Sequence, residues 1–250
     1  MNAFPRLFRW ALLALALPFA TAWADEAAEG RLYTPGPFER LELAGAVNVR
    51  LSQGQKDQVF VIASPEVLRN LEVELQGDRL LIHPGGGWKF WNSERIQVDV
   101  MMRNIRQLVL SGASDVRASD TVRVPRLMVS IAGSGQVRFD DLVADTLIFG
   151  IFGAGDGQLK GQVGELNLSI SGKGKLNAEQ LLADRALISV SGIGKARIWV
   201  QDELRVSATG IADIDYWGSP DVRRDTSGLS KITAKGDKRP VPAPQASPSQ

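Results

Sequence analysis

One phrase recurs between residues 108 and 228 and constrains this chain more than anything else in it. It reads Leu-Val-Leu-Ser-Gly-Ala-Ser at 108–114, Val-Ser-Ile-Ala-Gly-Ser-Gly at 129–135 and Phe-Gly-Ile-Phe-Gly-Ala-Gly at 149–155. It returns as Leu-Ser-Ile-Ser-Gly-Lys-Gly at 168–174, Ile-Ser-Val-Ser-Gly-Ile-Gly at 188–194 and Val-Ser-Ala-Thr-Gly-Ile-Ala at 206–212. The lead glycines are Gly112, Gly133, Gly153, Gly172, Gly192 and Gly210, spaced 21, 20, 19, 20 and 18 residues apart. A variant of the phrase surrounds Gly45. A fixed period of this size marks a repeat architecture in which each copy is one supersecondary unit.

The interior of the phrase selects among repeat folds. Four residues before each lead glycine stand Leu108, Val129, Phe149, Leu168, Ile188 and Val206; two before stand Leu110, Ile131, Ile151, Ile170, Val190 and Ala208. The intervening residues are mostly Ser, Asn, Lys, Arg or Asp. Alternation with period 2 is the signal of a half-buried strand. Helical repeats need periods of about 33–47 residues, and propeller blades about 40 or more. The leucine-rich ladder with its fixed Asn is missing. What remains is an all-β chain forming a right-handed parallel β-helix, or β-solenoid, with rungs of about 20 residues. No rung can bury its apolar face alone; stacked neighbours at about 4.8 Å complete a continuous core. The lead glycines, with Gly45, are assigned to corners, where positive φ or close approach of the next rung excludes a side chain.

The flanking segments divide the chain. Arg6 and Arg9, the apolar run from Ala11 to Ala20 and the Ala22-Trp23-Ala24 site read as a signal peptide over 1–24. The run is shorter than the roughly 20 residues of a membrane span. Residues 25–37, with Pro35 and Pro37, read as a flexible lead-in. The fold is placed at 38–235, with an N-terminal β part over 38–107 and regular rungs over 108–235. A Pro-rich stretch at 236–250 reads as a disordered tail. Inside the N-terminal part, Ser64-Pro65 predicts a helix start. Gly77-Asp78 predicts a turn between strands.

Composition narrows the function classes. The net charge of +1 carries no field suited to nucleic acid. Without cysteine there are no disulfides, thiolate metal sites or cysteine nucleophiles. His83, the one histidine, excludes multi-His centres and reads as structural. Asp140, Asp141, Asp145 and Asp156 are the nearest approach to an acidic cluster, and Asp213 and Asp215 share a strand face. None of them repeats from rung to rung. No residue is therefore assigned to catalysis, a cofactor or a metal, and the chain reads as non-enzymatic. The candidate partner contacts are the aromatics that interrupt the pattern: Trp88, Phe90 and Trp91 in a glycine-rich loop, and Tyr216 and Trp217 near the last rung. The latter two also suit a cap over the terminal rung.

Several of these features occur together in one known family. Phe38-Glu39-Arg40-Leu41 leads into Gly45-Ala46-Val47-Asn48-Val49. Leu80-Leu81-Ile82 follows, then the Ser-Gly-x-Gly rungs, then Asp215-Tyr216-Trp217-Gly218-Ser219-Pro220. In order and spacing this resembles the auto-transporter adhesin head GIN domain family, over roughly residues 38–235. The resemblance implies a β-helical domain exported to the periplasm or cell surface of a bacterium, with adhesion to a surface glycan or protein. Beyond Pro240 no translocator barrel or stalk pattern is read, so a surface role is expected to need another anchor. Two alternatives are a carbohydrate-active lyase or hydrolase with acidic residues on one rung face, and a periplasmic stress-linked structural module.

Overall fold

The computed structural model describes residues 28–85 and 96–238. The segment read as a signal peptide, the aromatic candidates Trp88, Phe90 and Trp91, and residues 239–250 lie outside the described residues.

The described chain is a β-solenoid of roughly six turns built from stacked coils of about 20 residues. Its strands are β1 (Glu29–Tyr33), β2 (Arg40–Leu43), β3 (Val47–Gln53), β4 (Gln58–Ala63), β5 (Leu71–Gln76), β6 (Arg79–Pro84), β7 (Ile96–Met102) and β8 (Gln107–Leu110). Then come the long coil strands β9 (Asp115–Ile131), β10 (Ser134–Ile151), β11 (Ala154–Ile170), β12 (Lys173–Val190) and β13 (Ile193–Ala208). β14 (Ile211–Trp217), β15 (Asp221–Thr226) and β16 (Leu229–Ala234) complete the stack. The helix signal at Ser64 is realised as α1 (Pro65–Asn70), whose first turn Ser64 caps by accepting from Val67 N.

Each of β9 to β13 is one coil, paired in parallel with the coil before and after it. The break between successive coil strands falls at the lead glycine. The other corners are absorbed as register shifts, for example between Phe139 and Leu142, and between Ala178 and Leu182. These shifts let coils of unequal length stack in register. The first coil in sequence is not the first in space. β2 and β3 lie between β6–β7 on one side and β8–β9 on the other, parallel to both. The chain after β3 thus leaves the stack, adding the antiparallel strand β4 and the antiparallel hairpin β5–β6, and β7 lies beneath the stack against β3.

Side chains two apart along each coil point inward and form columns. Leu41, Leu108, Val129, Phe149, Leu168, Ile188 and Val206 make one; Val49, Val116, Val137, Gly157, Leu176, Ala196 and Ile214 make another. All the apolar members are buried and belong to a single core cluster. Size alternates along the columns. At Gly157 a Cβ would lie 2.6 Å from a Leu176 methyl and 2.7 Å from the Phe149 ring, so the glycine makes room for its large neighbours.

The lead glycines form a column of their own, and close approach is what selects them. A Cβ on Gly112 would lie 2.1 Å from Gly45 O. The same 2.0–2.1 Å contact with the preceding rung's carbonyl recurs at Gly133, Gly153, Gly172, Gly192 and Gly210, and also at Gly228, which the phrase did not single out. Only Gly45, with φ 118°, has the left-handed backbone that the corner assignment also allowed.

Two expectations are corrected here. The lead-in is not all irregular: Glu29–Tyr33 pairs antiparallel with β4 along its whole length. Its sequence, Glu-Gly-Arg-Leu-Tyr, is largely exposed and lacks alternation; the free edge of β4 recruits it, and Arg31 donating to Leu68 O at 2.9 Å and Tyr33 packing on the core help to hold it. The second correction concerns the last rung. Tyr216 and Trp217 are not its cap, because β15 and β16 stack beyond them. The last strands close the end with a mixture: Val222 and Ile232 pack against the core, beside polar inward residues. Arg224 occupies the column position below Val206, and Thr226 that below Ala208. Charged residues at inward positions of an edge discourage further strand addition.

Candidate functional site

Tyr216 follows Ile214 by two residues and therefore points the same way, inward. It is 8% exposed, and stacks between Ile198 and Ala234. Buried in the core, it offers no surface to a partner. Trp217 faces outward but is half-buried, and Lys238 Nζ lies 4.2 Å from its ring centroid. Lys238 also donates to Glu179 O at 2.6 Å, and burial pushes its amine below the usual lysine range. This cation–π contact pins the end of the described chain across Trp217.

The most continuous outward surface lies just before each lead glycine, on the segments that carry the inward apolar columns. Five residues before the glycines stand Met128, Ile148, Asn167, Leu187, Arg205 and Arg223, one above another. Beside them run Ser130, Gly150, Ser169, Ser189, Ser207 and Asp225. Phe152, 54% exposed, fills the gap in the serine column: a Cβ on Gly150 would lie 2.6 Å from its ring. Between Ile148 and Asp225 the two columns line a shallow groove of about 490 Å³. Its character changes along the solenoid axis, from apolar at Ile148, past Ser169 and Ser189 hydroxyls, to the guanidinium groups of Arg205 and Arg223. Arg205 pairs with Glu203 at 2.7 Å and Arg223 with Asp221 at 3.7 Å. Among the described residues Arg224 has no such partner. Sequence reading overlooked these columns, although both can be read by counting three and five residues back from each lead glycine.

A second outward strip follows the glycines. Lys173, Ile193, Ile211 and Leu229 stack in one column, and Asp156, Lys175, Lys195, Asp213 and Lys231 in the next. Here Lys195 Nζ donates to Asp213 at 2.9 Å, which holds that carboxyl below its ordinary range.

Three of the carboxylates weighed for catalysis, Asp140, Asp213 and Asp215, are engaged elsewhere. Burial pushes the Asp140 carboxyl up. Hydrogen bonds from Arg138 at 2.8 Å and Arg117 at 3.1 Å outweigh that and hold it below the usual range. Asp215 lies 3.2 Å from Lys235 Nζ. Glycoside hydrolysis requires two carboxylates facing each other across the substrate. Asp140, Asp213 and Asp215 are instead matched to cations within the ladders.

The fold and its outward columns define a class: an exposed-ladder β-solenoid. Several solved structures share this fold. A putative adhesin from Bacteroides fragilis superposes with a TM-score of 0.76 at 19% identity, covering 84% of this chain and 97% of its own. A putative adhesin from Parabacteroides merdae gives 0.66 at 15% identity, covering 86% and 98%. A protein from Parabacteroides distasonis named as a putative lipid binding protein gives 0.64 at 16%, covering 86% and 98%. These identities establish a common fold. No curated protein matches the chain. The chain belongs to the family described as "putative auto-transporter adhesin, head GIN domain", whose model matches residues 37–220.

Proposed function

We propose that this is an exported, non-enzymatic binding module of a bacterial envelope, and that the serine–apolar ladder face carries its ligand, an extended cell-surface glycan. The observation that supports the reading is the pair of outward columns from Met128 to Arg223 and from Ser130 to Asp225. Strand stacking repeats hydroxyl, apolar and guanidinium groups at a fixed interval of about 4.8 Å. A polymer lying along the axis meets many such groups at once, so weak contacts add in the manner of multivalent binding. Membership in an adhesin-like family agrees with export and with surface recognition. Among the described residues no helix is long and apolar enough to cross a membrane.

The test is a glycan-array screen of the chain from residue 25, alongside the variant Leu187→Asp. Leu187 is outward and exposed, so the variant keeps its fold. Wild-type binding to a glycan class, lost in the variant, supports the reading. Equal binding by both places the ligand elsewhere. The exposed apolar groups Met128, Leu187 and Phe152 also suit an acyl chain, so a lipid panel belongs in the same experiment.

A further inference from the structure

The chain's single histidine meets two carboxylates on the outer face of the β5–β6 hairpin. The turn at Gly77-Asp78 fixes the register: Gln76 pairs with Arg79, Glu72 stands opposite His83, and Glu74 opposite Leu81. Directly opposed and diagonal neighbours on one face of an antiparallel pair are within side-chain reach. His83 Nε2 lies 3.4 Å from Glu72 Oε2 and 3.7 Å from Glu74 Oε1. One ligand atom from each of the three residues lies within 4.8 Å of the others.

Three further observations go beyond an ion pair. His83 Nδ1 is 3.1 Å from the Pro84 carbonyl oxygen. A carbonyl only accepts, so Nδ1 carries the proton, and in the neutral ring Nε2 keeps its lone pair. Metal-bound histidines are oriented in this way, by donating the other ring N–H to a backbone carbonyl. Next, Nε2 is shielded from solvent and has no hydrogen-bond partner, although the side chain as a whole is 24% exposed. Last, its distances to the carboxylates exceed the roughly 2.7–3.2 Å of an N–H···O bond. They lie close to the edge of a tetrahedron of ligands, the Glu72 distance within its range and the Glu74 distance about 0.1 Å beyond. Donors about 2.0–2.2 Å from a central ion lie roughly 3.3–3.6 Å apart. Gly85 leaves the room this needs, since a Cβ there would lie 2.4 Å from Glu72 Oε1.

We propose that Glu72, Glu74 and His83 form a mononuclear site for a first-row divalent cation, zinc foremost, bound by His83 Nε2 and one oxygen of each glutamate. An imidazole with two carboxylates and no thiolate suits such ions. Three protein ligands leave a fourth position open to water or to an oxygen of a bound ligand. The competing arrangement is an imidazolium held by two glutamates with no metal.

Because His83 is the only histidine, the ring nitrogens of an untagged, ¹⁵N-labelled chain give a single imidazole signature. Zinc sulfate titrated into it at neutral pH shifts Nε2, saturates at one equivalent and is reversed by EDTA. Calorimetry shows one site, and Glu72→Gln and Glu74→Gln each weaken it about tenfold or more. Circular dichroism checks that both variants fold. A ring signature unmoved by millimolar zinc overturns the proposal. So does a zinc response that survives undiminished in the double glutamine variant, which would mark adventitious binding to the imidazole alone.

Discussion

Replacing Gly153 by alanine tests the reason for the repeat. The new methyl would lie 2.1 Å from Gly133 O and 2.6 Å from Ala132 O, both backbone atoms of the preceding coil. Neither can rotate away, so the two coils must separate by about an ångström to reach ordinary contact. The hydrogen bonds holding them at this point are Gly153 N to Ile131 O at 3.2 Å and Ala154 N to Gly133 O at 2.9 Å. Stretching both costs about 1 kcal/mol each, and displaced packing raises the total to roughly 2–4 kcal/mol. For a chain of this length that lowers Tm by roughly 4–16 °C. The assay is thermal and urea unfolding followed by far-UV circular dichroism, with Ser134→Ala as control. Ser134 is exposed beside the preceding lead glycine, Gly133, and its column partner is already Ala154. The control is expected within about 0.5 kcal/mol of wild type. A Gly153→Ala loss below about 1 kcal/mol would refute the argument that close approach, rather than chance, puts glycine in this column.

Three further outcomes follow from the same geometry. Phe149→Ala empties a fully buried site and is expected to cost about 3–5 kcal/mol in urea unfolding; pairing Phe149→Leu with Gly157→Ala should cost less than the sum of the two, since the methyl enters space the ring vacates. Asp140→Asn is expected to lose about 1 kcal/mol near pH 7. The folded-state pKa of Asp140 is depressed, so its contribution is present above the unfolded value and fades as pH falls through the folded one. Wild type and variant should therefore converge below the usual carboxylate range, and a gap that persists there contradicts the pairing with Arg117 and Arg138. Finally, Trp217 fluorescence should change on Lys238→Ala through loss of the cation over its ring, with no change in the far-UV spectrum.

The period, the strand alternation and the lead glycines were legible because each depends on one residue and its near neighbours. What lay outside that range depended on register. Tyr216 reads in the sequence as a partner contact or a cap, and only the register, with Ile214 inward and every second residue after it following, puts it in the core. The Met128-to-Arg223 column emerges only once coils spaced 18 to 21 residues apart are aligned on their glycines. The β1 strand carries no pattern of its own and exists through the edge of β4. The Glu72–Glu74–His83 cluster was within reach. A turn at Gly77-Asp78 already sets Glu72 opposite His83, but the histidine was read singly, as a residue at a strand end.

Hydroxyl-radical footprinting of the chain with a glycan that it binds tests the account most directly. The ladder-face reading predicts protection of Met128, Phe152 and Leu187, each on a different coil, while Ile193, Ile211 and Leu229 react as in the free chain. Protection of the Ile193–Ile211–Leu229 column with Met128, Phe152 and Leu187 unchanged would contradict it.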